Sequence, residues 1–177
     1  MEALHEVKMS EARKVVNWSQ YFMLQAMVAS FRSKDPNTQV GCVIVDNNNR
    51  QVAMGYNGFI SGVDESEISW DNGPDLAQKD TKYPYVVHAE ANAILHAQKD
   101  LEGCNVYVTH FPCSECAKML ASKKVNKVYY FTEKHDSSIS KKILRMSNID
   151  FEELTVRYMQ IEYLYEHLLD MRRSLET

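Results

Sequence analysis

A chain of 177 residues with 45% hydrophobic residues, 6 Gly and 4 Pro has the size and composition of one soluble globular domain, which excludes low-complexity, collagen-like and disordered readings. Its 20 Lys+Arg against 24 Asp+Glu leave a formal net charge of −4 with the two signs interspersed, which argues against nucleic acid as a partner. No apolar run approaches the roughly 20 residues that span a bilayer, and the charged first segment lacks the apolar stretch of a secretory signal, so no membrane association and a cytoplasmic, reducing setting are expected, with the 4 Cys as thiols or metal ligands.

In chain order, Trp18, Tyr21, Phe22, Gln25, Val28, Ala29 and Arg32 recur at spacings of three and four and predict a helix of about four turns, with one apolar stripe, ending near Ser33. Asp35-Pro36-Asn37 follows as a turn, because the residue before a proline is pushed out of the helical region. Val40 to Asp46 and Gln51 to Tyr56 read as antiparallel strands joined by a tight turn at Asn47-Asn48-Asn49. From Asn57 to Val87 no periodicity is sustained. A connection that long, carrying Trp70, Tyr83 and Tyr85, is expected to be ordered and to cover or shape a site.

Next come a helix from about Ala89 to Lys99, a strand from Asn105 to Thr109 and a helix from Cys113 to Ser122. A strand from Lys127 to Phe131, a helix from Ser138 to Met146 and a short strand from Asp150 to Glu153 complete the alternation. Strands and helices alternating across short loops predict an α/β fold of three layers, α/β/α, around a mixed five-stranded sheet. Met159, Tyr163, Leu164, Leu168, Met171 and Leu175 predict an extra C-terminal helix over about 156–175. Its stripe reads first as a face packed on the core and second as a subunit contact. Residues 1–177 are expected to form a single domain with its core at about 17–155.

The chemistry sits in two short segments, His88-Ala89-Glu90 and Pro112-Cys113-Ser114-Glu115-Cys116, each opening a predicted helix. Alone, the Cys-x-x-Cys pair fits a redox dithiol or half of a structural zinc site as well as a catalytic one. With His88 it supplies three of the four tetrahedral positions of Zn2+ and leaves the fourth open, the mark of a catalytic site. Cys113 and Cys116, three apart in a first helical turn, share a face and gain as thiolates from the positive end of the helix. Residues two apart inside a helix diverge, so His88 and Glu90 can face one metal only if His88 lies at the very start, before the backbone is helical. Two thiolates cancel the dication's charge and weaken its effect on a water ligand, so a nearby base is needed; Glu90 is the candidate. Cys42 and Cys104 read as small buried hydrophobes. His96 reads as a helix-packing residue and His110 as a neighbour of the site.

Further motifs extend the pattern: Ser33-Lys34-Asp35-Pro36-Asn37, Gly55-Tyr56-Asn57-Gly58, Asp80-Thr81-Lys82-Tyr83-Pro84-Tyr85, His88-Ala89-Glu90-Ala91-Asn92-Ala93-Ile94 and Phe111-Pro112-Cys113-Ser114-Glu115-Cys116-Ala117-Lys118. In this order and spacing the chain resembles the deoxycytidylate deaminases, a branch of the cytidine-deaminase-like fold, over roughly residues 17–155. The resemblance implies hydrolysis of dCMP to dUMP and ammonia, which supplies the dTMP precursor, with zinc on His88, Cys113 and Cys116 and proton shuttling by Glu90. It also implies a contact from the Ala89 amide to the base carbonyl, one from Asn57 to the sugar, and approach of the Ser33 to Thr38 loop to the phosphate, with Lys34 as the candidate charge. The family's homohexameric assembly, activation by dCTP with Mg2+ and inhibition by dTTP are implied in the same way.

The chain departs from the family pattern at Ile60, where many relatives carry proline, and in Thr132-Glu133-Lys134-His135-Asp136, shorter by one residue than in close relatives. Two other classes share parts of the pattern. A polynucleotide deaminase would need a basic, aromatic-lined groove, which the acidic balance disfavours. A non-catalytic zinc-stabilised binding module would have no use for Glu90 beside an open metal position.

Overall fold

The computed structural model describes residues 15–134 and 136–155, together with Tyr165 and Leu169. The predicted C-terminal helix therefore lies outside the described residues, apart from Tyr165 and Leu169, which are helical.

Helix α1 spans Trp18–Ser30, and the Asn17 side chain caps it by accepting from the Gln20 amide at 2.9 Å. It stops short of Ser33 because the Phe31, Arg32 and Ser33 amides bond the carbonyls only three residues back, Val28, Ala29 and Ser30, and the Ser33 carbonyl and hydroxyl then accept from the Gln39 side chain and the Asp35 amide. Its buried face is Phe22, Met23, Ala26, Ala29 and Ser30, whereas Trp18, Tyr21 and Val28 are exposed. The expected stripe is thus rotated. Gly41 explains the rotation, since a side-chain carbon there would run into the Ala26 carbonyl and the Ser30 amide. At Gly41 the helix lies too close to the sheet for a large side chain to sit between, so small residues, Ala26 and Ser30, face it there, while Phe22 packs further along on Tyr107.

Strands β1 (Gly41–Val45) and β2 (Gln51–Tyr56) form the predicted hairpin. In its turn Asp46 Oδ1 accepts the Asn48 and Arg50 amides, and Asn49 takes the left-handed conformation with φ 57°. The long connection holds β3 (Gly58–Phe59) and β4 (Val86–Val87), paired as a two-stranded ribbon, with single 3₁₀ turns at Glu65–Glu67 and Gln78–Asp80. It is ordered by its aromatics as expected. Trp70 stacks on Phe59 with ring centroids 3.9 Å apart, and the Tyr85 hydroxyl donates to the Lys79 carbonyl.

The rest alternates as predicted: α2 (Ala89–Leu95), β5 (Asn105–His110), α3 (Ser114–Ser122), β6 (Lys127–Thr132), α4 (Ser138–Met146) and β7 (Asp150–Glu153). Helix α2 is shorter than expected: the His96 amide still bonds the Asn92 carbonyl, which the His96 ring also meets at 2.9 Å, but the Ala97 amide turns to the Ile94 carbonyl only three residues back. His96 is exposed there, not packed. The main sheet has five strands in the order β2-β1-β5-β6-β7, antiparallel across β2-β1-β5 and parallel across β5-β6-β7.

Alternation along β1 and β5 divides the core in two. Val43, Val45 and Tyr107 face α1 with Phe22, Met23 and Ala26. Cys42, Ile44, Val106 and Val108 face the opposite layer with Ala89 and Ala93 of α2, Ala117 and Leu120 of α3, and Leu144 of α4. This is the three-layer α/β/α arrangement. No helix of the described residues is long and apolar enough to cross a membrane.

Candidate active site

Two helix N-termini meet at the site. His88 precedes α2 with extended backbone, φ −69° and ψ 155°, and Cys113 precedes α3 in the same way, φ −68° and ψ 171°. His88 is therefore outside the helix, as its pairing with Glu90 requires, and Glu90 lies in the first turn, almost fully buried. Close packing of α2 on β2 brings His88 into place. A side-chain carbon on Gly55 would strike the Ala89 carbonyl and the Ala93 amide, while the Asn92 side chain donates to the Tyr56 carbonyl at 2.7 Å.

The ligand atoms of His88, Cys113 and Cys116 lie within 4.8 Å of one another. His88 Nδ1 is 3.4 Å from Cys113 Sγ and 3.5 Å from Cys116 Sγ. Zinc with its usual bond lengths to nitrogen and sulfur sets a tetrahedral N···S separation of about 3.6 Å, so spacing and donor chemistry both fit that ion. Among the described residues the group has these three members, which leaves a fourth tetrahedral position for a reactant.

The electrostatics agree. The hydrogen bond from Cys116 pulls the Cys113 thiol down to about 3, against the effect of burial, and His88 adds to the pull. Cys116 is pushed up, first by its bond to Cys113 and then by burial. As free thiols the two share one proton, and a divalent cation allows both to ionise. His88 is raised, chiefly by its hydrogen bond to Cys113. Burial raises the Glu90 carboxyl, the direction suited to a group that both takes and returns a proton.

Above the cluster opens a cavity of about 550 Å³ whose wall includes His88, Ala89, Glu90 and Cys113, a volume in the range of small-molecule sites. Thr38, Asn57 and Ala89, three of the predicted substrate contacts, also line it. Ser33 and Lys34 do not. Ser33 is buried in the turn after α1, and the Lys34 ammonium is paired with Glu65 at 2.9 Å on the surface. His110 borders the cavity, with Nδ1 3.2 Å from Thr109 Oγ1. Cys42 and Cys104 are buried free thiols, as read.

One part of the wall was not assigned from sequence. Lys82 and Asp35 form a buried ion pair there, with side chains 8% and 2% exposed. Asp35 Oδ2 also accepts from Asn57 Nδ2 at 3.3 Å, while Oδ1 accepts the Asn37 and Thr38 amides. Burial alone would raise the Asp35 carboxyl; Lys82 and the two amides outweigh it and hold it below the usual carboxylate range.

Residues 16–132 match the family model of the cytidine and deoxycytidylate deaminase zinc-binding region. The probable deoxycytidylate deaminase of Caenorhabditis elegans is 44% identical over 156 residues, which cover 83% of this chain and 78% of that protein. The human deoxycytidylate deaminase is 36% identical over 163 residues, 89% of this chain and 91% of the relative. Among solved structures, a dCMP deaminase from the cyanophage S-TIM5 in complex with dCMP and dUMP aligns with a TM-score of 0.63 at 30% identity, covering 76% of this chain and 95% of that one.

Proposed function

Because the chain belongs to the cytidine and deoxycytidylate deaminase family, we propose that the hydrolysis it catalyses converts dCMP and water to dUMP and ammonia. The observation that carries this reading is the meeting of a His/Cys/Cys group with a buried carboxylate on the wall of a cavity large enough for a nucleotide. His88, Cys113 and Cys116 hold the zinc, which when bound supplies the Lewis acidity that makes water nucleophilic near neutral pH.

Glu90 is the acid–base residue. Its carboxylate takes the proton of the attacking water and gives it to N3 of the cytosine as C4 becomes tetrahedral; it then takes the proton of the new C4 hydroxyl and delivers it to the amino nitrogen, which leaves as ammonia as the C4–N bond breaks and the C4 carbonyl forms. A single carboxyl can do both tasks because delivery to N3 returns it to the carboxylate that the second transfer needs. The Ala89 amide, first in its helix and so without an intrahelical acceptor, orients the base through its carbonyl. Asn57 meets the sugar. Lys134, which lines the cavity, is a better placed cation for the phosphate than Lys34, which is paired with Glu65 outside it.

A single cytoplasmic deaminase domain, assembled as a homohexamer, activated by dCTP with Mg2+ and inhibited by dTTP, completes the reading; the resemblance to the deoxycytidylate deaminases supports it. The test is steady-state ammonia release from dCMP. Glu90→Gln is expected to lower kcat by at least about 10³-fold while bound zinc stays stoichiometric. No release from dCMP by the zinc-loaded wild-type protein would refute the assignment.

A further inference from the structure

Lys82 comes from the long connection and is buried in the cavity wall, yet the reaction outlined above gives it no task. A buried ammonium is tolerated only with a partner, and Asp35 is that partner. The same carboxylate oxygen binds Asn57 Nδ2, whose other hydrogen goes to the Thr38 carbonyl at 2.9 Å, while Asn57 Oδ1 accepts the Val40 amide at 2.8 Å. The amide of Asn57 has therefore spent both its donors. What remains among the described residues is one lone pair on Oδ1, and Lys82 keeps two of its three N–H groups beyond the one on Asp35.

Asp35 thus holds a spare acceptor and spare donors side by side on the wall shared with Ala89 and Glu90. A hydroxyl, which donates once and accepts as well, matches that pair. A phosphate matches it poorly, because a dianion on Lys82 would be driven against the Asp35 carboxylate bound to the same nitrogen. The deoxyribose of a 2′-deoxynucleotide has one hydroxyl besides the esterified 5′ position, at C3′. We infer that Lys82 is a substrate-positioning residue that, together with Asn57, reads the sugar 3′-hydroxyl. The inference rests on the dCMP reading and deepens it.

The experiment compares kcat/KM for dCMP and for 2′,3′-dideoxycytidine monophosphate, which lacks only that hydroxyl. The zinc-loaded wild-type protein is expected to prefer dCMP by roughly 10- to 100-fold, the effect of one hydrogen bond to a charged group. Lys82→Met, and the charge-neutral pair Asp35→Asn with Lys82→Gln in case the single variant fails to fold, are expected to bring that preference to within about threefold. The loss should fall on dCMP and mainly on KM, because the hydroxyl is remote from the bond that breaks. Equal losses on both substrates would mean that the ion pair only holds the wall together, and would overturn the inference. So would a wild-type protein that does not distinguish the two nucleotides, whatever the variants do. Turnover of neither nucleotide by wild type would remove the proposed function itself, an outcome distinct from turnover without discrimination.

Discussion

Four donors converge on the Asp35 carboxylate: the amides of Asn37 and Thr38, the Asn57 side chain and the Lys82 ammonium. Asp35→Asn would keep the turn's acceptor but leave a buried ammonium without its counterion, a change that destabilises by about 3–5 kcal/mol. The sign of its pH dependence follows from the lowered carboxyl. A group depressed in the folded state contributes stability that is fully present above its unfolded value, about 3.9, and lost as pH falls through the folded value. Urea unfolding should therefore find wild type well above Asp35→Asn at pH 7, with the gap closing below about pH 4. A gap independent of pH would show that the carboxylate is not the stabilising species. At this scale the site was legible wherever its members are close in sequence, as His88 and Glu90 or Cys113 and Cys116 are. Lys82 was not, because it lies in a segment with no period and its partner is 47 residues away.

Among the elements, α2 has only seven residues, carries the acid–base candidate Glu90 in its first turn and is preceded directly by the metal-ligand candidate His88 at its N-cap. Its position is set from β2, through the missing side chain of Gly55 and the bond from Asn92 to the Tyr56 carbonyl. Gly55→Ala would force the Ala89 and Ala93 backbone outward, since both obstructing atoms are main chain. Overpacking of this kind destabilises by about 1–3 kcal/mol, or roughly 2–12 °C in Tm for a chain of this size. The shift should also lower kcat for dCMP, because Glu90 moves with the helix; unchanged activity at a lowered Tm would show that α2 does not set the catalytic geometry. Element identity was readable from period and turn residues. The face of α1 was not, because the stripe of large residues is visible in sequence, whereas the close approach at Gly41 that selects Ala26 and Ala29 is a property of the sheet.

The whole molecule brings the site together at one end of the sheet. Asn57 follows β2, His88 follows β4, and Cys113 and Cys116 follow β5, the last at the carboxyl end of a parallel strand where α/β sheets place their ligands. The alternation of strands and helices foretold the three layers; which end of the sheet gathers these separate segments was not read from sequence, since their contacts depend on the packed core. That core also decides what metal removal should do. The two clusters around Val43 and Ile44 are built from apolar side chains and include none of His88, Cys113 and Cys116. Unlike a small zinc finger, which is unfolded without metal, this fold should survive chelation. Zinc at about 1,000 times its dissociation constant stabilises the state that binds it by about 4 kcal/mol, so stripping it should lower Tm by roughly 8–16 °C and abolish deamination. Added zinc should restore both. Glu90→Gln, which keeps all three ligands, should show the same drop in Tm on chelation, whereas Cys116→Ala should show little. Collapse of the wild-type far-UV signal at 25 °C on chelation would instead mean that the ion holds the fold, and that its role is structural before it is catalytic.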